Sequence, residues 1–290
     1  MRISFLPLVV LMATFCGSNG SLRPGHPAGM APQSGKLFII GGGARPAALL
    51  QDLIKTAGLD SQGFALILPL ASSEPDTAAY YAIQQFLDLG LPAGKFKKCY
   101  FEKNALSPAG LDSLRAAKLI YLTGGDQGKF MEAVAGTPAH AAILEAYQNG
   151  ATIAGTSAGA AVMSRKMITG NEFKHPEYTG DFRTIEAENI EIAEGLGLLD
   201  HCIVDQHFIR RMRMNRLVAV ALEHPDETCI GIDESTAIVV EGDSARIAGV
   251  GQVVVLRNPS GSQKVQHGLI GGQGLELSVL LPGERFCLTN

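Results

Sequence analysis

The sequence predicts an α/β fold built on a mainly parallel sheet with helices on both faces and a β-rich C-terminal part. Three observations predict it: apolar strand-like runs alternate with helical segments from Lys36 onward, several runs end in glycine-rich turns, and residues 245–288 keep strand-like patterning. Sites in such sheets gather at the carboxyl ends of the strands. Those ends are therefore where candidate chemistry is sought.

The elements follow in order. "KLFIIGGG", "FALILPL", "KKCYF", "AKLIYLTGG" and "ATIAGTSAG" read as strands, and "PAALLQDLIKTAG", "DTAAYYAIQQFLDLG" and residues 138–148 read as helices between them. Thr137 and Pro138 suit the cap and first position of the last of these helices. The stretch "NEFKHPEYTGDFRTIEAENIEIAEG" carries seven acidic residues against Lys174 and Arg183 and reads as a solvated surface excursion without site residues. After it come "HCIVDQHF", an arginine-rich helix, "CIGIDES" and "TAIVVEGD".

With 290 residues, 46% hydrophobic and 18% charged, the chain can bury a sizeable core. A net charge of -4 and a pI near 6.0 leave no broad excess of Lys and Arg for phosphate contacts, which argues against a nucleic-acid partner. The opening "MRISFLPLVVLMATFCGSNGS" has one Arg2, an apolar run over 3–15 and small or polar residues after it. It reads as a signal peptide (1–20) followed by a leader (21–35), with residues 36–290 as one domain. The run is too short for a stable membrane span, so an exported protein is expected. Cys16 offers a lipid anchor instead, although Phe15 stands where a small residue is usual. Cys99, Cys202, Cys229 and Cys287 show no metal-ligand spacing, and Cys202 and Cys229, in apolar runs, read as buried free thiols.

Three strand ends are glycine-rich: Gly41 to Gly43, Gly124 and Gly125, and Gly155 to Gly159. None has the P-loop Lys or the Rossmann spacing, so a nucleotide is not expected and neither is any other cofactor. Gly155-Thr156-Ser157-Ala158-Gly159 matches G-x-S-x-G, a turn between strand and helix that displays a serine hydroxyl, although small residues also serve a plainly packed turn. A serine needs a base, and the base an orienting acid. His207 follows the run "CIVDQ" and should emerge at the same sheet end as Ser157, whereas His140 lies within a helix and His175, His201, His224 and His267 lack such a setting. Glu234 is the chosen acid, with Asp233 read alternatively as a structural acid or turn-former. The backbone N–H of Ala158 and one from Gly124-Gly125 could receive an oxyanion. Gln127 would contact substrate in the same pocket or simply bond at its helix start.

The motifs "YLTGGDQ", "GTSAGAA", "DQHFIRRMRMNRL" and "GIDESTA", in this order over 121–237, resemble the cyanophycinase branch of the S51 serine peptidases, and "LFIIGGG" also fits. The resemblance implies a flavodoxin-like fold similar to class I glutamine amidotransferases, and a Ser-His-Glu triad that works through an acyl-enzyme; no metal is expected, because the sequence has no His/Cys/carboxylate cluster at ligand spacing. The resemblance implies Ser157 as nucleophile, His207 as general base, Glu234 as orienting acid and the Gly125 and Ala158 amides as oxyanion donors. Gln127, Asp205, Gln206, Arg211, Arg213 and Arg216 would line or support the substrate pocket. The implied substrate is cyanophycin, poly-aspartate with arginine on each side chain, cut by an exopeptidase to β-aspartyl-arginine dipeptides. An aspartyl dipeptidase and a non-catalytic binding protein are the alternatives, and a homodimer is compatible with the resemblance.

Such a substrate offers both charge signs. Arg210, Arg211, Arg213 and Arg216 lie close after His207, with Arg213 and Arg216 spaced as neighbours on a helix. Their planar forks suit carboxylates, and structural ion pairs or a solvated face are the alternative.

Overall fold

The computed structural model describes residues 35–177 and 179–289. The expected signal peptide and the Cys16 anchor lie outside the described residues. The first half is a regular βα series: β1 (Lys36–Ile40), α1 (Ala47–Ala57), β2 (Ala65–Leu68), α2 (Pro75–Leu87), β3 (Phe96–Lys98), α3 (Pro108–Ala116), β4 (Leu119–Leu122), α4 (Gln127–Val134), α5 (Pro138–Gln148) and β5 (Thr152–Thr156). A single-turn helix α6 (Ala158–Ala161) leads to the hairpin β6 (Lys166–Glu172) and β7 (Ile190–Glu194). Then come β8 (Cys202–Gln206), α7 (Met214–Glu223), β9 (Thr228–Ile232), β10 (Thr236–Glu241), β11 (Ser244–Gly249), β12 (Val253–Arg257), β13 (Lys264–Gln266), β14 (Leu269–Gly271), β15 (Glu276–Leu280) and β16 (Arg285–Cys287).

The main sheet has the order β16-β11-β10-β1-β5-β4-β2-β3, with β1, β5, β4, β2 and β3 mutually parallel and β10, β11 and β16 added antiparallel. Its strands read as unbroken apolar runs because both faces are covered. Alternate residues go to opposite sides: Leu37, Ile39, Leu66, Leu68, Ile120 and Leu122 join the core under α3 to α6, while Phe38, Ile40, Ala65, Ile67, Leu119 and Tyr121 join that under α1 and α2. α1 turns Leu49, Leu50, Leu53, Ile54 and Ala57 inward and stops at Gly58, whose left-handed conformation closes the last turn. Thr137 caps α5 as the sequence suggests, its hydroxyl accepting from the His140 N–H. β3 is an edge strand with Lys97 and Lys98 exposed, which blunts that edge against further pairing.

A second sheet, β15-β12-β9-β8, corrects the expectation that one sheet carries the whole site. β8 and β9 are parallel neighbours in this smaller sheet. One of its faces, through Val204, Ile230, Ile232 and Val253, enters the core shared with α3 to α6, and the other, through Ile203, Cys229 and Val254, packs on α7. Two further expectations change. The arginine-rich stretch is a turn over 208–213, with α7 starting only at Met214. The acidic excursion is largely structured: it contributes β7 and buries Phe182, Ala187 and Ile190.

The cysteines at 99, 202, 229 and 287 are all free, and burial pushes the Cys99 thiol up to about 11 and the Cys202 thiol up to about 12. No described helix is long and apolar enough to cross a membrane.

Candidate active site

Ser157 sits at the turn between β5 and α6 with φ 55° and ψ −116°, a conformation that a residue with a side chain adopts only when its surroundings enforce it. The enforcement is steric. A Cβ at Gly155 would stand 2.1 Å from the Gly159 carbonyl oxygen, and a Cβ at Gly159 would stand 2.3 Å from that of Leu122. Only glycines let the helix start press this closely on β5 and β4, and the pressed turn turns the serine outward.

The other two residues come from the second sheet. Gln206 and Ile232 are register partners at the ends of β8 and β9, so His207 and the 233–234 pair leave the sheet side by side. The end of β1 and the loop after it then tie the three segments together. Ser157 N–H donates to Ile40 O at 3.1 Å, His207 N–H to Gly41 O at 2.6 Å, and Ser235 N–H to Gly42 O at 2.9 Å. The imidazole lies flat against Gly42, where a Cβ would meet Cε1 at 2.3 Å and Nε2 at 2.4 Å.

In this setting His207 Nε2 is 2.9 Å from Ser157 Oγ, and Nδ1 is 2.6 Å from Glu234 Oε1. A carboxylate only accepts, so Nδ1 carries the proton and Nε2 is left to accept from the serine hydroxyl. Burial lowers the His207 pKa, the Glu234 hydrogen bond opposes this, and the positive charges of Arg211 and Arg213 add to the lowering. The imidazole is thereby neutral and able to take a proton at neutral pH. Asp233 does the work of its alternative reading: its Oδ1 accepts the N–H groups of Ile209 and Arg210 and shapes the turn after His207.

A cleft of about 510 Å³ opens beside Ser157. Gln127 is buried in its wall and donates to the carbonyls of Ile168 and Thr169, so its amide fastens β6 while facing the cleft. Gln206 also lines it, with Oε1 3.5 Å from Ser157 Oγ. Arg211 is exposed at the rim. Arg213 and Arg216 correct the expectation of a paired, helix-borne clamp. They are 3% and 2% exposed, Arg213 precedes the helix, and both guanidinium groups are held from behind by the fully buried Asp205. Arg216 Nε donates to Asp205 Oδ2 at 2.6 Å and its Nη2 to Oδ1, while Arg213 Nη1 donates to Gln206 O at 2.6 Å. The carboxylate offsets one of the two charges, so this wall stays net positive. Arg216 Nη1 is buried without a hydrogen-bond partner among the described residues.

The acidic excursion supplies residues that sequence reasoning left out. Phe182 stacks under the Arg216 guanidinium at 4.4 Å. Glu191 faces the cleft, its Oε2 accepting from Thr169 Oγ1 at 2.6 Å and Asn171 Nδ2 at 2.8 Å, and these two bonds hold its carboxyl below the usual range. A signal existed in "NIEIAEG": in a strand, Glu191 must point away from the side taken by Ile190 and Ile192.

Gly125 lines the cleft with φ 140°, and a Cβ there would strike Ala71 O at 2.1 Å. Among the described residues neither its amide nor that of Ala158 donates to a backbone carbonyl. Gly125 lines the same cleft as Ser157 and Ala158 follows the serine in the chain, and the arrangement can take a proton from a hydroxyl, orient the base and offer backbone amides to an attacked carbonyl.

Comparison with known proteins adds to this geometry. The model of peptidase family S51 matches residues 37–248. Cyanophycinases of Trichormus variabilis and of a Nostoc species are each 33% identical to the chain over 270 residues, covering 89% of this chain and 87% of theirs. The crystal structure of a peptidase from an acI-B1 actinobacterium shares the fold, with a TM-score of 0.63 at 23% identity over 89% of this chain and 98% of that one.

Proposed function

Because the chain belongs to peptidase family S51 and is a serine-type hydrolase, we propose that it degrades cyanophycin to β-aspartyl-arginine dipeptides as an exopeptidase. The observation that carries the reading is the hydrogen-bonded series Ser157, His207, Glu234, with 2.9 Å and 2.6 Å separations. Ser157 Oγ attacks the carbonyl carbon while His207 Nε2 takes its proton. Glu234 holds the ring and stabilises the imidazolium. The Gly125 and Ala158 amides receive the oxyanion. His207 then protonates the leaving nitrogen, the C–N bond breaks, and water hydrolyses the acyl-enzyme by the same base.

The substrate assignment is supported by the name of the relatives and by the two signs of charge in the cleft. Arg211 and the positive wall of Arg213 and Arg216 suit a carboxylate, and Glu191 suits a guanidinium. Residues 1–20 act as an export signal in this reading, which N-terminal sequencing of the mature protein tests. For the activity itself, the test is product analysis after incubation with purified cyanophycin. β-Aspartyl-arginine is the expected product, and hydrolysis confined to α-aspartyl dipeptides would overturn the reading.

A further inference from the structure

Ser157 borders two clefts, and the reading above uses only the larger. The smaller, of about 220 Å³, is walled by Gly42 and Arg45 from the loop after β1, Tyr81 of α2, Tyr121 of β4 and Thr156 of β5. Gly124 lines this cleft and Gly125 the other, so the peptide carrying the candidate oxyanion amide is the ridge between them. A carbonyl held at that ridge has its acyl side over one cleft and its leaving side over the other.

The position of His207 decides which side is which. In acyl transfer the imidazolium hands its proton from Nε2 to the leaving nitrogen. The imidazole rests on Gly42, a wall of the smaller cleft, so the nitrogen that receives the proton lies there. Arg45 stands at the cleft with its guanidinium set by uncharged partners: Nε donates to Gln85 Oε1 at 2.5 Å and Nη1 to Gly43 O at 3.1 Å. Its orientation is fixed while its charge is left for a ligand.

We propose that the smaller cleft is the leaving-group subsite and that Arg45 binds a carboxylate of the amine-side product. The inference rests on the serine acyl-transfer reading. As the C–N bond breaks, the leaving nitrogen takes the proton that His207 removed from Ser157, the acyl group stays on Oγ, and the departing amine carries its carboxylate on Arg45. Holding that end positions the scissile bond, so the contact acts on kcat/KM.

The test uses two short aspartyl peptides identical on the acyl side, with leaving peptides ending in a carboxylate or a carboxamide. For the wild-type protein the carboxylate form is expected to have a kcat/KM about tenfold or more above the carboxamide, and in Arg45→Gln that ratio falls below about threefold. An active Arg45→Gln that keeps the wild-type ratio overturns the subsite alone. A wild-type protein that cleaves neither peptide overturns the peptidase substrate reading and the subsite with it. Competition in the wild-type protein does not depend on the variant folding. The free product dipeptide should inhibit about tenfold more strongly than its carboxamide, and equal inhibition overturns the proposal.

Discussion

The N–H of His207 donates to the carbonyl oxygen of Gly41 across 2.6 Å, so the candidate base hangs from the loop that follows the first strand. Gly42 is the next residue, its φ is +112°, and its Cα is the surface on which the imidazole lies. Gly42→Ala should therefore displace the ring and lower kcat by roughly a hundredfold or more. Steady-state kinetics beside a circular dichroism spectrum of the variant check this, and unchanged kcat would remove the loop from the account.

Ser157→Ala should lower kcat by roughly six orders of magnitude with the fold intact. Glu234→Gln should lower it by roughly four, because an amide no longer imposes the proton on Nδ1. Full activity of Ser157→Ala on cyanophycin would discard the nucleophile assignment.

The acid limb of kcat/KM should lie below the ordinary histidine value, since burial lowers the His207 pKa. The sign for Arg211 follows from charge: its cation disfavours the imidazolium, so Arg211→Ala should raise the His207 pKa and move the acid limb to higher pH. A pH–rate profile of both proteins reads the displacement, and a limb that moves to lower pH would contradict it.

Asp205→Ala leaves two buried guanidinium groups without their carboxylate, and should destabilise the protein by about 3–5 kcal/mol. Denaturant titration measures it. A loss below about 1 kcal/mol would show that the pair is solvated.

Glu191→Gln should raise KM for an arginine-bearing peptide roughly tenfold and leave a peptide without the guanidinium nearly unaffected. Kinetics on the two peptides separate a guanidinium contact from a general defect, which would raise both KM values.

Much of the site could be seen in the sequence because Ser157, His207 and Glu234 each follow an apolar run at a strand end, and strand ends are where such folds expose chemistry. That β8 and β9 form a second sheet could not be seen, since a parallel strand buried on both faces reads the same in either sheet. The arginines misled for a related reason. Spacing shows which side chains are neighbours, but only the fold brings Asp205 behind Arg213 and Arg216 and turns two apparent surface groups into a buried wall. Glu191 was hidden by its acidic surroundings: charge density says solvent, while the β6–β7 pairing and Phe182 on Arg216 bring this stretch to the cleft. The glycines of 41–43 were legible as a glycine-rich strand end, and the imidazole that lies against Gly42 was not.

β1 lies between β5 on one side and β10 on the other; its last residue anchors the backbone that carries the hydroxyl, and Gly41 just after it anchors the one that carries the imidazole. The segments it joins are synthesised far apart, the loop long before Glu234. A ribosome-bound chain can thus complete the βα series and still hold no working hydrolase. Until β8 and β9 are made, Ser157 stands without His207 and Glu234, the residues proposed as its base and acid.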